Sequence, residues 1–258
     1  MFGILMSFFF SQGLPASIGG DAFRIWWHRR ENIKTSQALK IIVFDRIYGM
    51  LSLVLLCMGS AFLLTKFLGG EAKIIKLVMF LGIIGSALGL LVMPWRLGLS
   101  QRLELFSMCL PSKFKSILQW LVTTRISLSQ QKLHITLGLL AMGVMVHLLV
   151  VGQVFIIGNA LSPNKINAVM CVAAVPPALF ISYMPFSIAG WGVREASMVV
   201  VFGLFGIDAP TAILISLIIG MVIFAVSLLG GLLWVTCGFR TAYFTHVRDK
   251  NIMLDVDY

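Results

Sequence analysis

Two arginines, Arg24 and Arg194, close segments that repeat one another 170 positions apart (194 minus 24). Leu14-Pro15-Ala16-Ser17-Ile18-Gly19-Gly20-Asp21-Ala22-Phe23-Arg24 returns as Met184-Pro185-Phe186-Ser187-Ile188-Ala189-Gly190-Trp191-Gly192-Val193-Arg194. Pro, Ser, Ile, the second Gly and the Arg coincide without a gap. Guanidinium is built to pair with phosphate, so the chemistry open to these sites is recognition of an anionic headgroup. Asp21 precedes Arg24 by three residues, on one helical face, and Glu195 directly follows Arg194. Arg194 and Glu195 are the only charges between positions 166 and 207. Ionisable residues at membrane depth are functional candidates by default. Two readings stand side by side: a cavity-facing Arg194 that binds a headgroup, and an ion pair that pins a turn. The same two apply to Arg24, where the bordering basic stretch favours an orienting role. The candidate substrate-binding set is Arg24, Arg194, Glu195, Asp21, Gly20 and Gly190.

The residues around the arginines break helices. Pro15 and Pro185 open turns, and Ser17 and Ser187 can cap the helix after each turn. Gly19, Gly20, Gly190 and Gly192 permit backbone angles and close approaches that other residues resist. Broken half-helices present free N–H groups that attract anions, whereas simple kinking and packing is the alternative use of membrane glycines. Paired Gly/Pro-interrupted segments in matching halves point to a central binding site. Asp45 and Arg46 lie beyond the first motif. Side chains of adjacent helical residues diverge by about 100°, so the two cannot face one partner. Arg46 is expected to snorkel to the interface, and Asp45 to pair with Arg24 or Arg194. Asp45, Arg46, Pro15 and Pro185 therefore carry structural assignments.

Other chemistries find no residues. Cys57, Cys109, Cys171 and Cys237 form no CxxC, and His28, His134, His147 and His246 form no HExxH, so neither disulfide framework nor metal site is expected. No Ser/His/Asp set, paired carboxylates or nucleotide-binding loop occurs, so no catalytic residue and no cofactor is expected. The formal charge of +10 is accounted for by Lys/Arg-rich inner loops. Nucleic-acid binding would need a basic soluble module, which this sequence lacks.

The elements that must hold these residues are membrane helices. Of 258 residues 59% are hydrophobic and 12% charged, with a mean hydropathy of +0.97. That composition predicts an all-α, polytopic transmembrane bundle forming one domain. Spans are expected at 39–64, 77–94, 133–161 and 209–239. Residues 1–14 give only about 21 Å of helix, short of the ~30 Å hydrocarbon core. They read as the end of a membrane helix whose beginning is missing or unusually short. Positive-inside placement puts 24–34, 96–132 and 240–250 in the cytoplasm, with the turn at 66–76, Asn164 and Asp208 outside. Segment 96–132 reads as an amphipathic surface helix or a connecting loop. Between Asn164 and Asp208 the chain must leave and return on one side. Residues 196–207 offer only about 18 Å, so a re-entrant hairpin is expected, buried in protein or lining a cavity. The offset of 170 also carries 39–66 onto 209–236, in the opposite sense. The expected plan is an inverted repeat: 1–68 first, 69–165 connecting, 166–239 second, and 240–258 a cytoplasmic tail.

The trio of motifs, 15–24, Asp45-Arg46 and 188–195, resembles the lysylphosphatidylglycerol synthase transmembrane-region family, over most of the chain from Phe8 to about Phe239. The resemblance implies flippase-like membrane proteins with inverted repeats and re-entrant elements. In the multiple peptide resistance factors, such a domain moves aminoacylated phosphatidylglycerol between leaflets beside a soluble aminoacyl-transferase domain. No stretch of this sequence is polar enough and long enough for that transferase, so enzymatic activity is not expected. Family members usually have a longer N-terminus, by roughly a helix and a half. The leading expectation is translocation of an anionic or aminoacylated phospholipid or lipid-linked substrate, in a bacterial plasma membrane with the C-terminus cytoplasmic. The alternative is a non-transporting accessory module anchoring a separate lipid-modifying synthase or glycosyltransferase; an integral-membrane transferase ranks last. Membrane lipids with anionic headgroups are the expected partners.

Overall fold

The computed structural model describes residues 2–13, 18–67, 124, 131–183 and 190–238. Among these, every regular element is helical: α1 (Phe2–Ser11), α2 (Ile18–Arg30), α3 (Thr35–Phe67), α4 (Leu133–Leu161), α5 (Ala168–Ser182), α6 (Val193–Gly203) and α7 (Ala209–Leu233). A five-residue π segment, Trp234–Gly238, continues α7. The expected all-α class is what the chain adopts. The expected span 77–94, the turn beyond 67, nearly all of 96–132, the tail 240–258, and both Pro15 and Pro185 lie outside the described residues.

Length divides the helices into two kinds. Thr35–Leu64, Leu133–Leu161 and Ala209–Thr236 are long and apolar enough to cross a membrane. Helices α1, α2, α5 and α6, with 10, 13, 15 and 11 residues, reach only about 15–22 Å at 1.5 Å per residue. Over these residues α2, α5 and α6 fall short of a ~30 Å hydrocarbon core. Each short helix instead packs on long ones: α1 on α7, α2 on α3, α5 on α3 and α4, α6 on α7.

Local signals explain where the helices begin. Asn167 caps α5, its Oδ1 accepting the Met170 N–H at 2.8 Å. Asp208 caps α7, accepting the Thr211 N–H at 3.2 Å and the Thr211 hydroxyl at 2.9 Å. These two bonds, the hydroxyl's the larger, hold the Asp208 carboxyl below its ordinary range. A depressed carboxyl stabilises the folded state above its unfolded pKa, about 3.9, and the benefit disappears as pH falls through the lower folded value. Acidification below about pH 4 is therefore expected to fray the first turn of α7. Amide exchange at Thr211 and Ala212 should quicken there, and should lose this pH dependence in Asp208→Asn.

The main core lies among α4, α5, α6 and α7, where Val154, Cys171, Ala174, Phe202 and Ile215 are buried. Small residues set the helix spacing, as they do where lipid removes the hydrophobic drive for helix association. Ala173 lets α5 sit against Ala61 and Leu64 of α3, and Phe180 fills the next layer against Leu53, Val54 and Cys57. Helix α5 thus runs against α3 in the opposite direction. Where α3 crosses α4, a side chain at Gly143 would overlap the Ser52 hydroxyl. Nearby, the buried His147 ring stands 3.1 Å from the Gly49 carbonyl. Helix α1 is wedged between two glycine surfaces, with the Ser7 carbonyl over Gly20 of α2 and the Leu5 carbonyl over Gly230 of α7. It runs alongside α7 in the same direction, from Leu5 at Gly230 to Phe10 at Trp234.

Candidate functional site: two neutral polar clusters

The first cluster is a ladder between α2 and α3. Arg24 pairs with Asp45 at 2.7 Å and Asp21 with Arg46 at 2.8 Å. Asp21 and Arg24, three residues apart, share one face of α2, and the divergent Asp45 and Arg46 each take one of them. Asp45 thus meets Arg24, and Arg46, expected at the interface alone, is held by Asp21. The ladder is partly open: Arg24 and Asp45 side chains are 23% and 59% exposed. A double-mutant cycle on Arg24→Ala and Asp45→Ala is expected to give a coupling below about 1 kcal/mol, as for other exposed pairs; the measurement is equilibrium unfolding in detergent.

The second cluster is enclosed. Arg194 and Glu195 side chains are only 10% and 14% exposed, with Nη2 of Arg194 2.9 Å from Glu195 Oε1. Nε of Arg194 donates to the Ser216 hydroxyl of α7 at 3.0 Å, and that hydroxyl donates to Glu195 Oε1 at 3.0 Å. The guanidinium lies over the Trp191 ring, 5.1 Å from its centroid, and against Gly220, where any side chain would displace it. Among the described residues, Nη1 has no hydrogen-bond partner. The adjacent Ser197 hydroxyl bonds the Arg194 carbonyl at 2.8 Å and stands 3.1 Å from the Ser182 hydroxyl, tying α6 to α5.

The backbone places Arg194 by a sharp turn into α6. Gly190 and Gly192 have φ of +79° and +82°, a region that L side chains disfavour. Glu195, at the third position of α6, accepts the Gly192 N–H at 2.5 Å, filling one donor left open at a helix start. Glu195 therefore both pairs Arg194 and caps the helix. The first copy folds differently: Gly19 and Gly20 lie inside α2 and are buried. Gly20, a candidate for substrate contact, is there for the approach of α1.

The candidates therefore gather into two groups. Asp21, Arg24, Asp45 and Arg46 form one; Arg194 and Glu195, with Gly190 at the turn, form the other. Among the described residues no hydrogen bond or ion pair joins them. Each group sums to zero charge, two acids with two arginines and one with one, so neither buries an uncompensated charge. Ser216, Trp191 and Gly220 are site residues that charge and motif reasoning passed over. The repeat does not supply them: adding 170 to Arg46 gives Ser216, but adding 170 to Asp45, the partner of Arg24, gives the apolar Ile215. The partnership itself is not carried across, since Arg46 meets Asp21 while Ser216 meets Arg194.

No protein of curated function and no solved structure matches the chain. Residues 2–231, however, match the model described as the lysylphosphatidylglycerol synthase TM region, and the chain with its apolar spans and paired motifs belongs to that family of membrane proteins.

Proposed function

We propose that this chain is a flippase-like translocator, moving an anionic or aminoacylated phospholipid, or a lipid-linked substrate, between leaflets. The observation that carries the reading is the enclosed Arg194–Glu195–Ser216 cluster at the start of a helix too short to span. An arginine held by Nε and Nη2 keeps Nη1 for a phosphate oxygen, and Glu195 beside it suits an amine on the same headgroup. The 170-residue offset, which carries α2 onto α6 and α3 onto α7, supports an inverted repeat over α2–α3 and α6–α7. Helix α1, parallel to α7 where α5 opposes α3, stands apart from that relation. The short α5–α6 pair, neither helix long enough to span, suits a re-entrant hairpin. The chain acts as a transporter rather than an enzyme, in a bacterial plasma membrane with its C-terminus cytoplasmic.

The test is headgroup translocation in proteoliposomes containing phosphatidylglycerol, its lysyl derivative or a polyprenyl-phosphate sugar. Movement above the protein-free rate that disappears in Arg194→Ala identifies a translocator and its substrate. No movement of any of the three assigns the chain to the accessory class, anchoring a separate synthase or glycosyltransferase.

A further inference from the structure

Helix α2 has two faces, and the ladder uses only one. Asp21 and Arg24 turn toward α3, while Gly19, Ala22, Phe23 and Trp26 take the i, i+3, i+4, i+7 pattern of the other. That second face and the end of α1 form an open cleft of about 660 Å³ walled by Phe9, Phe10, Phe23 and Trp26. A volume of this size, lined by aromatic rings, matches a ligand site. Four residues beyond Trp26, on the same face, Arg30 places its guanidinium 4.9 Å from the Trp26 ring centroid. Arg29 is exposed beside it, and Arg29 and Arg30 make the last turn of α2 basic, while Glu31 is engaged by Trp27 and His28. The cleft is therefore apolar inside and cationic at one rim. Tryptophan and arginine in this order, apolar depth to polar edge, are the pattern of a membrane interface.

We infer that the α1–α2 cleft is a binding site for an anionic glycerophospholipid of the inner leaflet, one acyl chain between Phe10 and Trp26 and the phosphate at Arg29 and Arg30. Charge complementarity selects this occupant. The cytoplasmic leaflet is the anionic one, and basic segments beside it gain about 1 kcal/mol per Lys or Arg. The site is separate from the Arg194 cluster and does not depend on translocation: its ligand stays, filling the space between α1 and α2.

The experiment is native mass spectrometry of the full chain, delipidated in detergent and offered equal dioleoyl phosphatidylglycerol and phosphatidylcholine. Retention of phosphatidylglycerol several-fold above phosphatidylcholine is expected. That preference should fall in Arg29→Gln/Arg30→Gln and vanish when Arg194→Ala is added, and bound lipid of either kind should fall in Ala22→Trp, which fills the cleft. Arg194→Ala alone, which removes the headgroup contact of the proposed translocation site, should leave the share of the preference that Arg29 and Arg30 supply. Because Ala22→Trp can disturb folding, the unaltered chain provides a second readout. Phosphatidylglycerol with dibrominated chains should quench tryptophan fluorescence more than phosphatidylcholine with the same chains. Equal retention of the two lipids, retention untouched by Ala22→Trp, or equal quenching would overturn the assignment.

Discussion

Arg194→Ala is expected to abolish lipid translocation and to lower stability by about 3–5 kcal/mol, the cost of breaking one partner out of a buried pair. The loss comes from the partner left behind. Glu195 Oε1 receives Nη2 and, at a longer 3.3 Å, Nε of Arg194; without them a carboxylate that is only 14% exposed keeps Ser216 and Gly192 alone. Removing both charges should therefore recover much of the stability, since an apolar replacement leaves nothing unpaired. Recovery will be partial, because Glu195 also caps α6 and an N-terminal cap is worth about 0.5–2 kcal/mol. Translocation should not recover at all if Arg194 contacts the headgroup. Thermal melts of Arg194→Ala and Arg194→Ala/Glu195→Ala, beside flux in proteoliposomes, separate the two roles. A double variant that regains both stability and flux would reduce Arg194 to a brace.

Gly230→Val is expected to strip α1 from α7. A Cβ at Gly230 would overlap the Leu5 carbonyl, and main chain cannot swing aside as a side-chain tip can. Next to it, the Phe9 ring lies over Gly231, 2.6 Å from where a Cβ would stand, so the whole of α1 must move outward. Met6, now 1% exposed, would lose its cover. Overpacking costs about 1–3 kcal/mol, and main-chain overlap places this change at the upper end. The readout is hydrogen exchange, with α1 amides exchanging faster while α4 and α5, packed elsewhere, keep their protection. Unchanged protection in α1 would show that the helix pair adapts without separating.

Both expectations rest on Arg194 and Gly230 meeting partners far along the chain, which marks where sequence reasoning ends. Arg194, Glu195, Asp21, Arg24, Asp45 and Arg46 stood out in the sequence because charge is rare in an apolar chain and costly at membrane depth. The spans at 39–64, 133–161 and 209–239 were readable from hydropathy for the same reason: a run such as 133–161 has no stable place except across hydrocarbon, and α4 occupies those residues. Family membership was legible too, since it resides in motif order. What sequence spacing could not supply was which acid meets which base. The charges on α2 and those on α3 permit several pairings, and only the helix crossing selects Asp21 with Arg46 and Arg24 with Asp45.

The glycines make the same division sharper. Two matched copies suggested matched backbone roles, yet Gly190 and Gly192 turn the chain at positive φ while Gly20 sits within a helix under the Ser7 carbonyl. A glycine allows both uses, and its neighbours in space decide between them. Ser216 and Gly220 carry no signal of their own; they matter because α7 happens to pass beneath a guanidinium. Composition and periodicity established a helical membrane protein with costly arginines inside it, because burial of charge and exposure of apolar surface are penalties each residue incurs alone. The pairing of those arginines, the wedge of α1 and the neutrality of each cluster were settled by tertiary packing, because they are properties of two residues and the distance between them.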